Sequence, residues 1–187
     1  KSKSELNINE QNISLMLGSN THIVLYPVNK KKELNMVCII RSKKYDPANI
    51  KSLIERVVLK QNPNLKTVFD NEIKSWPLYY TPKILPSSNK NVFYIGDAFN
   101  GFLPTLAQGA GQSIESAYEI FNLLKEDKLA NTNSYFKERS KRAKIVRKRS
   151  NLNFLAFHFS SFFMQKIRNI FLKFLVNRKI FIEGYLG

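Results

Sequence analysis

The run from Asn91 to Ala117 constrains the fold more than any other stretch of this chain. Val92 to Ile95 is an apolar run of strand length, apolar on both faces, as a strand buried between two layers must be. Gly96-Asp97 ends it abruptly, and Pro104 sits in the loop that follows. Gly109-Ala110-Gly111 then opens a helix to about Lys125, with Ile114, Ala117, Phe121 and Leu124 at helical spacing. An acidic side chain at a strand's carboxyl end, facing a helix N-terminus, can hold a sugar hydroxyl beside an anion or a carbonyl oxygen.

Around this centre the chain predicts an α+β fold, with strands first and helices last. Ile13 to Met16 opens a strand, and Thr21 to Pro27 pairs with Leu34 to Arg41 across a turn at 29–32. On such a strand His22, Val24 and Tyr26 share a face. Pro47 to Lys60 predicts a short helix stopped before Pro63. Trp76 to Tyr80 predicts another strand, with Trp76 in the core. Asn133 or Ser134 can cap a helix through the basic stretch Lys137 to Arg149. A last amphipathic segment carries Leu155, Phe159, Phe163, Ile167, Ile170 and Phe174 along one side.

A length of 187 residues suits one domain or part of a larger protein. The net charge of +16 is spread along the chain with its Lys, Asn and Ile, so it reads as composition and no nucleic-acid partner is expected. A solvated helix face is the default for the basic stretch. Cys38, the single cysteine, excludes an internal disulfide and fits a reducing cytoplasm, where it would be a small buried hydrophobe. Two histidines and one cysteine, far apart, imply no metal. No uncharged stretch has the length and apolarity of a membrane span. None of the seven glycines forms the G-x-G-x-x-G fingerprint that cradles a dinucleotide pyrophosphate.

The central motif closely resembles the second FAD-binding motif of the class A flavoprotein monooxygenases, the aromatic-ring hydroxylases, written G-D-A-A-H-x-x-x-P-x-x-G-Q-G-x-N-x-x-I-E-D-A. Gly96, Asp97, Ala98, Pro104, Gln108, Gly109, Ile114, Glu115 and Ala117 stand at matching places. Leu103 to Ala110 is similar to the salicylate hydroxylase-like branch of the p-hydroxybenzoate hydroxylase superfamily. Looser likeness flanks it, in Leu17 to Pro27, in Trp76-Pro-Leu-Tyr79, in the R-x-x-R of Arg139 and Arg142, and in the spacing of Asn153 and His158. Phe99 and Asn100 replace the usual Ala-His, Ala107 and Gly111 depart from the pattern, and Ser116 replaces Asp.

The resemblance implies a fragment of an α/β, Rossmann-like FAD-binding fold, the carboxyl-terminal part of a chain about twice as long. Residues 1–80 would belong to the substrate-binding sheet domain, 81–130 to the FAD-binding domain and 131–187 to a helical region. The implied activity is NAD(P)H-dependent hydroxylation of an aromatic substrate with molecular oxygen, through a flavin hydroperoxide. Gly96, Asp97, Pro104, Gln108, Gly109, Ala110 and Gly111 would bind FAD, with Asp97 on a ribityl hydroxyl. His22 and Tyr26 would face the substrate ring, where an imidazole or phenol can deprotonate a phenol, and Asn100 would touch substrate. The expected partners are a small aromatic substrate, oxygen and the amino-terminal half that carries the missing fingerprint; without that half the chain is expected not to hold FAD tightly. A ubiquinone-pathway hydroxylase is a second reading, because a basic, Phe-rich C-terminal segment suits peripheral contact with a lipid surface. A decayed, non-catalytic basic binding module is the third. The expected location is cytoplasmic, with membrane association under the second reading.

Overall fold

The computed structural model describes residues 12–30, 33–69, 72–81, 87, 89, 92–126, 132–175 and 178. They form an α+β chain that divides into two compact units, Lys1–Trp76 with Leu155–Gly187, and Pro77–Phe154.

The first unit is built on a three-stranded antiparallel sheet in the order β1 (Ser14–Leu17), β2 (Thr21–Val28), β3 (Glu33–Ile40). The turn between β1 and β2 is closed by Gly18 N–H donating to the Thr21 carbonyl at 2.9 Å, with Asn20 in the left-handed region at φ 58°. The next turn opens with Asn29 and Lys30 both at positive φ, and Val28 pairs with Glu33 across it. Because side chains alternate along a strand, the register Ile23↔Cys38 and Leu25↔Met36 sends Ile23 and Leu25 to one face. There they meet Ile54, Val58 and Leu65 in the unit's buried core.

Those three residues come from a run of short helical pieces. Asp46 caps a 3₁₀ turn at Pro47–Asn49, its carboxylate accepting from Ala48 N–H at 3.0 Å. The chain continues as α1 (Ile50–Ile54), widens into a π-turn at Glu55–Leu59, and resumes with a 3₁₀ turn at Pro63–Leu65 and α2 (Lys66–Phe69). Pro63, expected only to stop a helix, starts the second piece, since its fixed φ suits a first helical position. Gln61 fastens this run to the sheet, accepting from Ser19 N–H at 2.6 Å and donating to the Ser19 carbonyl at 3.1 Å.

The second unit holds α3 (Gly96–Asn100), α4 (Gly109–Lys125) and most of α5 (Thr132–Phe157), whose last residues belong to the first unit with α6 (Phe162–Leu175).

Five expectations are corrected. Residues 72–80 are irregular and Trp76 is 64% exposed, so Trp76–Tyr80 is neither strand nor core. Val92–Ile95 is extended but unladdered, with Val92, Tyr94 and Ile95 41–43% exposed. In both places apolar composition is present, but no neighbouring strand among the described residues supplies the ladder that defines a strand. Asn133 and Ser134 lie inside the first turn of α5, which begins at Thr132, so neither caps it. The last amphipathic segment is broken at His158–Ser161, between α5 and α6. Finally, the apolar stripe of α4 faces outward: Ile114, Tyr118, Phe121 and Leu124 are 54–71% exposed, whereas Gln112 and Ser116 are buried.

Candidate functional site

The Gly-Asp motif is built by a left-handed kink. Gly96 sits at φ +57°, and a β-carbon there would lie 2.7 Å from Ser113 Oγ, so only glycine fits between the 92–95 segment and α4. The kink starts α3 directly, placing Asp97 in its first turn with its side chain exposed. Phe99 is buried against α5, edge-on to Phe136 at 6.0 Å and 6.5 Å from Tyr135. The Tyr135 hydroxyl donates to the Tyr94 carbonyl at 3.4 Å, and burial pushes its pKa up. Phe99 therefore serves packing, which accounts for its departure from the small residue of the aromatic-hydroxylase motif.

Asn100 is buried and its Oδ1 accepts from Arg147, while its Nδ2 has no partner among the described residues. Burial lowers the pKa of Arg147. Beyond Asn100, Gly101 and Thr81 clip the backbone in a two-bond ring, Gly101 N–H to Thr81 Oγ1 at 2.8 Å and Thr81 N–H to the Gly101 carbonyl at 3.0 Å.

The loop with Pro104 is anchored by α5. Ser150 Oγ donates to the Leu103 carbonyl at 3.1 Å, Thr105 Oγ1 donates to the Ser150 carbonyl at 2.7 Å, and Asn153 Nδ2 donates to the Thr105 carbonyl at 3.2 Å. Pro104 opens a 3₁₀ turn that ends at Ala107 in the left-handed region, φ 54°, which redirects the chain into α4. Gln108 is the N-cap residue through its carbonyl, which accepts from Gln112 N–H at 2.9 Å, and no side chain caps this end. Among the described residues the N–H groups of Gly109, Ala110 and Gly111 have no partner, and they form the helix's positive end. Nothing among the described residues lies within 4 Å of where a β-carbon would stand on Gly109 or Gly111. A flat group can approach this backbone directly.

Behind the helix start, the buried Arg139 guanidinium donates to Gln112 and to Glu115 and Glu119. This network turns the polar side of α4 toward α5 and leaves its apolar stripe outside. Sequence reasoning missed Arg139, Arg147, Ser150 and Gln112 as parts of the site; the only signal was Arg139 within the R-x-x-R pattern.

The structure brings Gly96, Asp97, Asn100, Pro104, Gln108, Gly109, Ala110 and Gly111 into one unit. His22 and Tyr26 belong to the other. His22 is buried, its Nδ1 3.1 Å from His158 Nε2, with the rim of Phe157 5.2 Å away between ring centres. One of these two ring nitrogens donates to the other, and His158 Nε2 also faces the Ile39 carbonyl at 3.4 Å. Burial, reinforced by His158, lowers the His22 pKa to about 4. Tyr26 Oη accepts from Asn35 Nδ2 at 2.6 Å. Cys38 is half-buried beside Thr21, its thiol pushed up to about 11 by burial.

The sequence model of one protein family, squalene epoxidase, matches residues 2–177. The chain belongs to the squalene epoxidase family. The family consists of FAD-dependent monooxygenases, and the site fits that cofactor. It offers an exposed carboxylate at Asp97, uncapped N–H donors at the start of α4, and a glycine surface with open space above it. A comparison with curated proteins returned no match. Among the described residues no group of His, Cys, Asp and Glu could hold a metal, and no helix is long and apolar enough to cross a membrane.

Proposed function

We propose that this chain forms the flavin-facing and substrate-side portion of an FAD-dependent monooxygenase that epoxidises an apolar alkene. The observation that carries the reading is the uncovered start of α4, beside exposed Asp97, in a chain of the squalene epoxidase family. When bound, FAD supplies the activated oxygen, with NAD(P)H as reductant. In this reading Asp97 accepts a hydrogen bond from a ribityl hydroxyl, a charge-assisted contact. The N–H groups of Gly109, Ala110 and Gly111 face the pyrimidine carbonyl of the flavin, where negative charge collects on reduction. Gly96 sets the kink that would aim Asp97; Gln108 and Pro104 would hold the loop that precedes the helix start, and Asn100 would orient groups at the edge of the site.

An alkene favours this reading over an aromatic ring for a chemical reason. Hydroxylation of a phenol gains from a base that reaches the substrate. His22 is enclosed by Phe157, His158 and the sheet, and Tyr26 is held by Asn35. Epoxidation of an isolated double bond needs no such base. His22 and Tyr26 enter this proposal as supports of the substrate-side unit, with residues up to about 80 on that side and the segment from 81 on the flavin side.

The exposed apolar stripe of α4 and the unladdered Val92–Ile95 support a partner that brings a sheet edge and the pyrophosphate fingerprint. We assign that role to a further segment of the same polypeptide. The test is the visible spectrum of the chain joined to its pyrophosphate-binding segment, then product analysis with a squalene-type polyene. A flavin band bleached by NAD(P)H and a product gaining one oxygen at a double bond support the proposal. Asp97→Ala should weaken FAD binding about tenfold, by loss of one charge-assisted hydrogen bond. Unchanged FAD affinity in that variant would remove Asp97 from the site, and a hydroxylated phenol with no epoxide would return the substrate to the aromatic class.

A further inference from the structure

We infer that Arg139 is a positioning residue for the flavin end of α4, acting through its charge as well as its shape. The inference rests on the flavin reading proposed above. The Arg139 side chain is 4% exposed, and its two terminal nitrogens reach four acceptors on α4. Nη1 donates to Glu115 Oε2 at 2.9 Å and Glu119 Oε1 at 3.3 Å. Nη2 donates to the Gln112 carbonyl at 3.1 Å and to Gln112 Oε1 at 2.9 Å. Gln112 passes the restraint on, donating to Glu115 Oε1 at 3.1 Å and to Gln108 Oε1 at 3.5 Å. One planar guanidinium therefore fixes three turns of α4 back to its N-cap residue, a geometry an ammonium group reproduces only in part.

The charge matters because of where the two carboxylates lie. Glu115 is six residues beyond Gly109, about 9 Å along the helix axis, and Glu119 is one turn further. Left alone, both would oppose negative charge arriving at the N–H groups of Gly109, Ala110 and Gly111. Arg139 offsets one of them from the buried side, while both carboxylates, 44% and 41% exposed, stay partly screened by water. Arg142 Nε, 3.8 Å from Glu115 Oε2 and half-buried, adds a looser contribution. A flavin is more anionic when reduced, so the balance held by Arg139 acts on the reduced state more than on the oxidised one.

The test is a redox titration of the flavin-loaded protein, the chain joined to its pyrophosphate-binding segment, with Arg139→Gln, Arg139→Lys and Glu119→Gln. Arg139→Gln should lower the preference for reduced over oxidised flavin about tenfold, which is ~30 mV more negative for a two-electron couple. Arg139→Lys should recover most of that shift although it cannot rebuild every hydrogen bond. Glu119→Gln keeps the arginine and should move the potential the other way, which preserves the test if Arg139→Gln fails to fold. A purely structural Arg139 would lower melting temperature and leave the potentials unchanged, and that result overturns the assignment alone. A wild-type chain joined to its pyrophosphate-binding segment that takes up no FAD overturns the flavin reading itself and this assignment with it.

Discussion

Acid should loosen the first unit through its buried histidine pair, before carboxylate protonation does so. In the folded chain His22 is neutral, with its pKa lowered from 6.5 to about 4 by burial first and by His158 second. In the unfolded chain it titrates near its ordinary value. Between these two values the unfolded state binds more protons, so stability rises with pH across that window. The contribution is complete above about pH 6.5 and is lost as pH falls toward about 4, below which it levels off. At 1.36 kcal/mol per pKa unit, the span amounts to about 3 kcal/mol, a large fraction of an ordinary domain's stability. Among the described residues no carboxylate is paired with His22. The Cys38 thiol is held neutral, Thr21 donates to the Ile39 carbonyl at 3.1 Å, and Arg168, buried on α6, donates to the Ala156 carbonyl at 3.2 Å. The assay is urea unfolding from pH 7.5 to 4 for the wild type and for His22→Gln, with the difference in free energy plotted against pH so that common carboxylate titration cancels. That difference should change by about 3 kcal/mol between pH 6.5 and 4. A flat difference would refute the neutral, enclosed state of His22.

Two further outcomes test the construction of the site. Gly96→Ala should destabilise the chain by about 1–3 kcal/mol, because φ +57° strains any side chain and the new carbon meets Ser113 Oγ at 2.7 Å; a loss under half that in thermal or urea unfolding would show that the kink relaxes freely. Ser150→Ala removes the donor to the Leu103 carbonyl and should cost about 1–2 kcal/mol. Faster proteolysis between Phe102 and Gln108 would locate that loss in the loop, and unchanged cleavage there would refute the anchoring role of α5.

The strand pair, the helix from Gly109 to Lys125 and the chain break at Gly96-Asp97 were all legible in the sequence. Each depends on local rules: alternation for β2 and β3, helical spacing for α4, and the left-handed freedom of glycine at position 96. The Gly-Asp motif likewise placed a carboxylate and a glycine-rich helix start within a few residues of each other, which is the basis of the flavin reading proposed above. Trp76 and the 92–95 segment failed because being apolar does not make a residue buried; that needs a neighbour, and neighbours are a property of the whole fold.

The tertiary structure alone decided which face of α4 turns inward. Apolar spacing pointed to Ile114, Phe121 and Leu124, yet the buried side is Gln112 and Ser116, because Arg139 from α5 satisfies that polar face with charge-assisted hydrogen bonds. It also decided the fate of His22, whose partner His158 lies 136 residues away in sequence. The sequence by itself determined the local geometry that lets Asp97 and the start of α4 stand open to a cofactor. The long-range pairings, Arg139 to α4 and Ser150 to the loop in one unit and His158 to the sheet in the other, arise only when distant segments pack, and no local pattern encodes them.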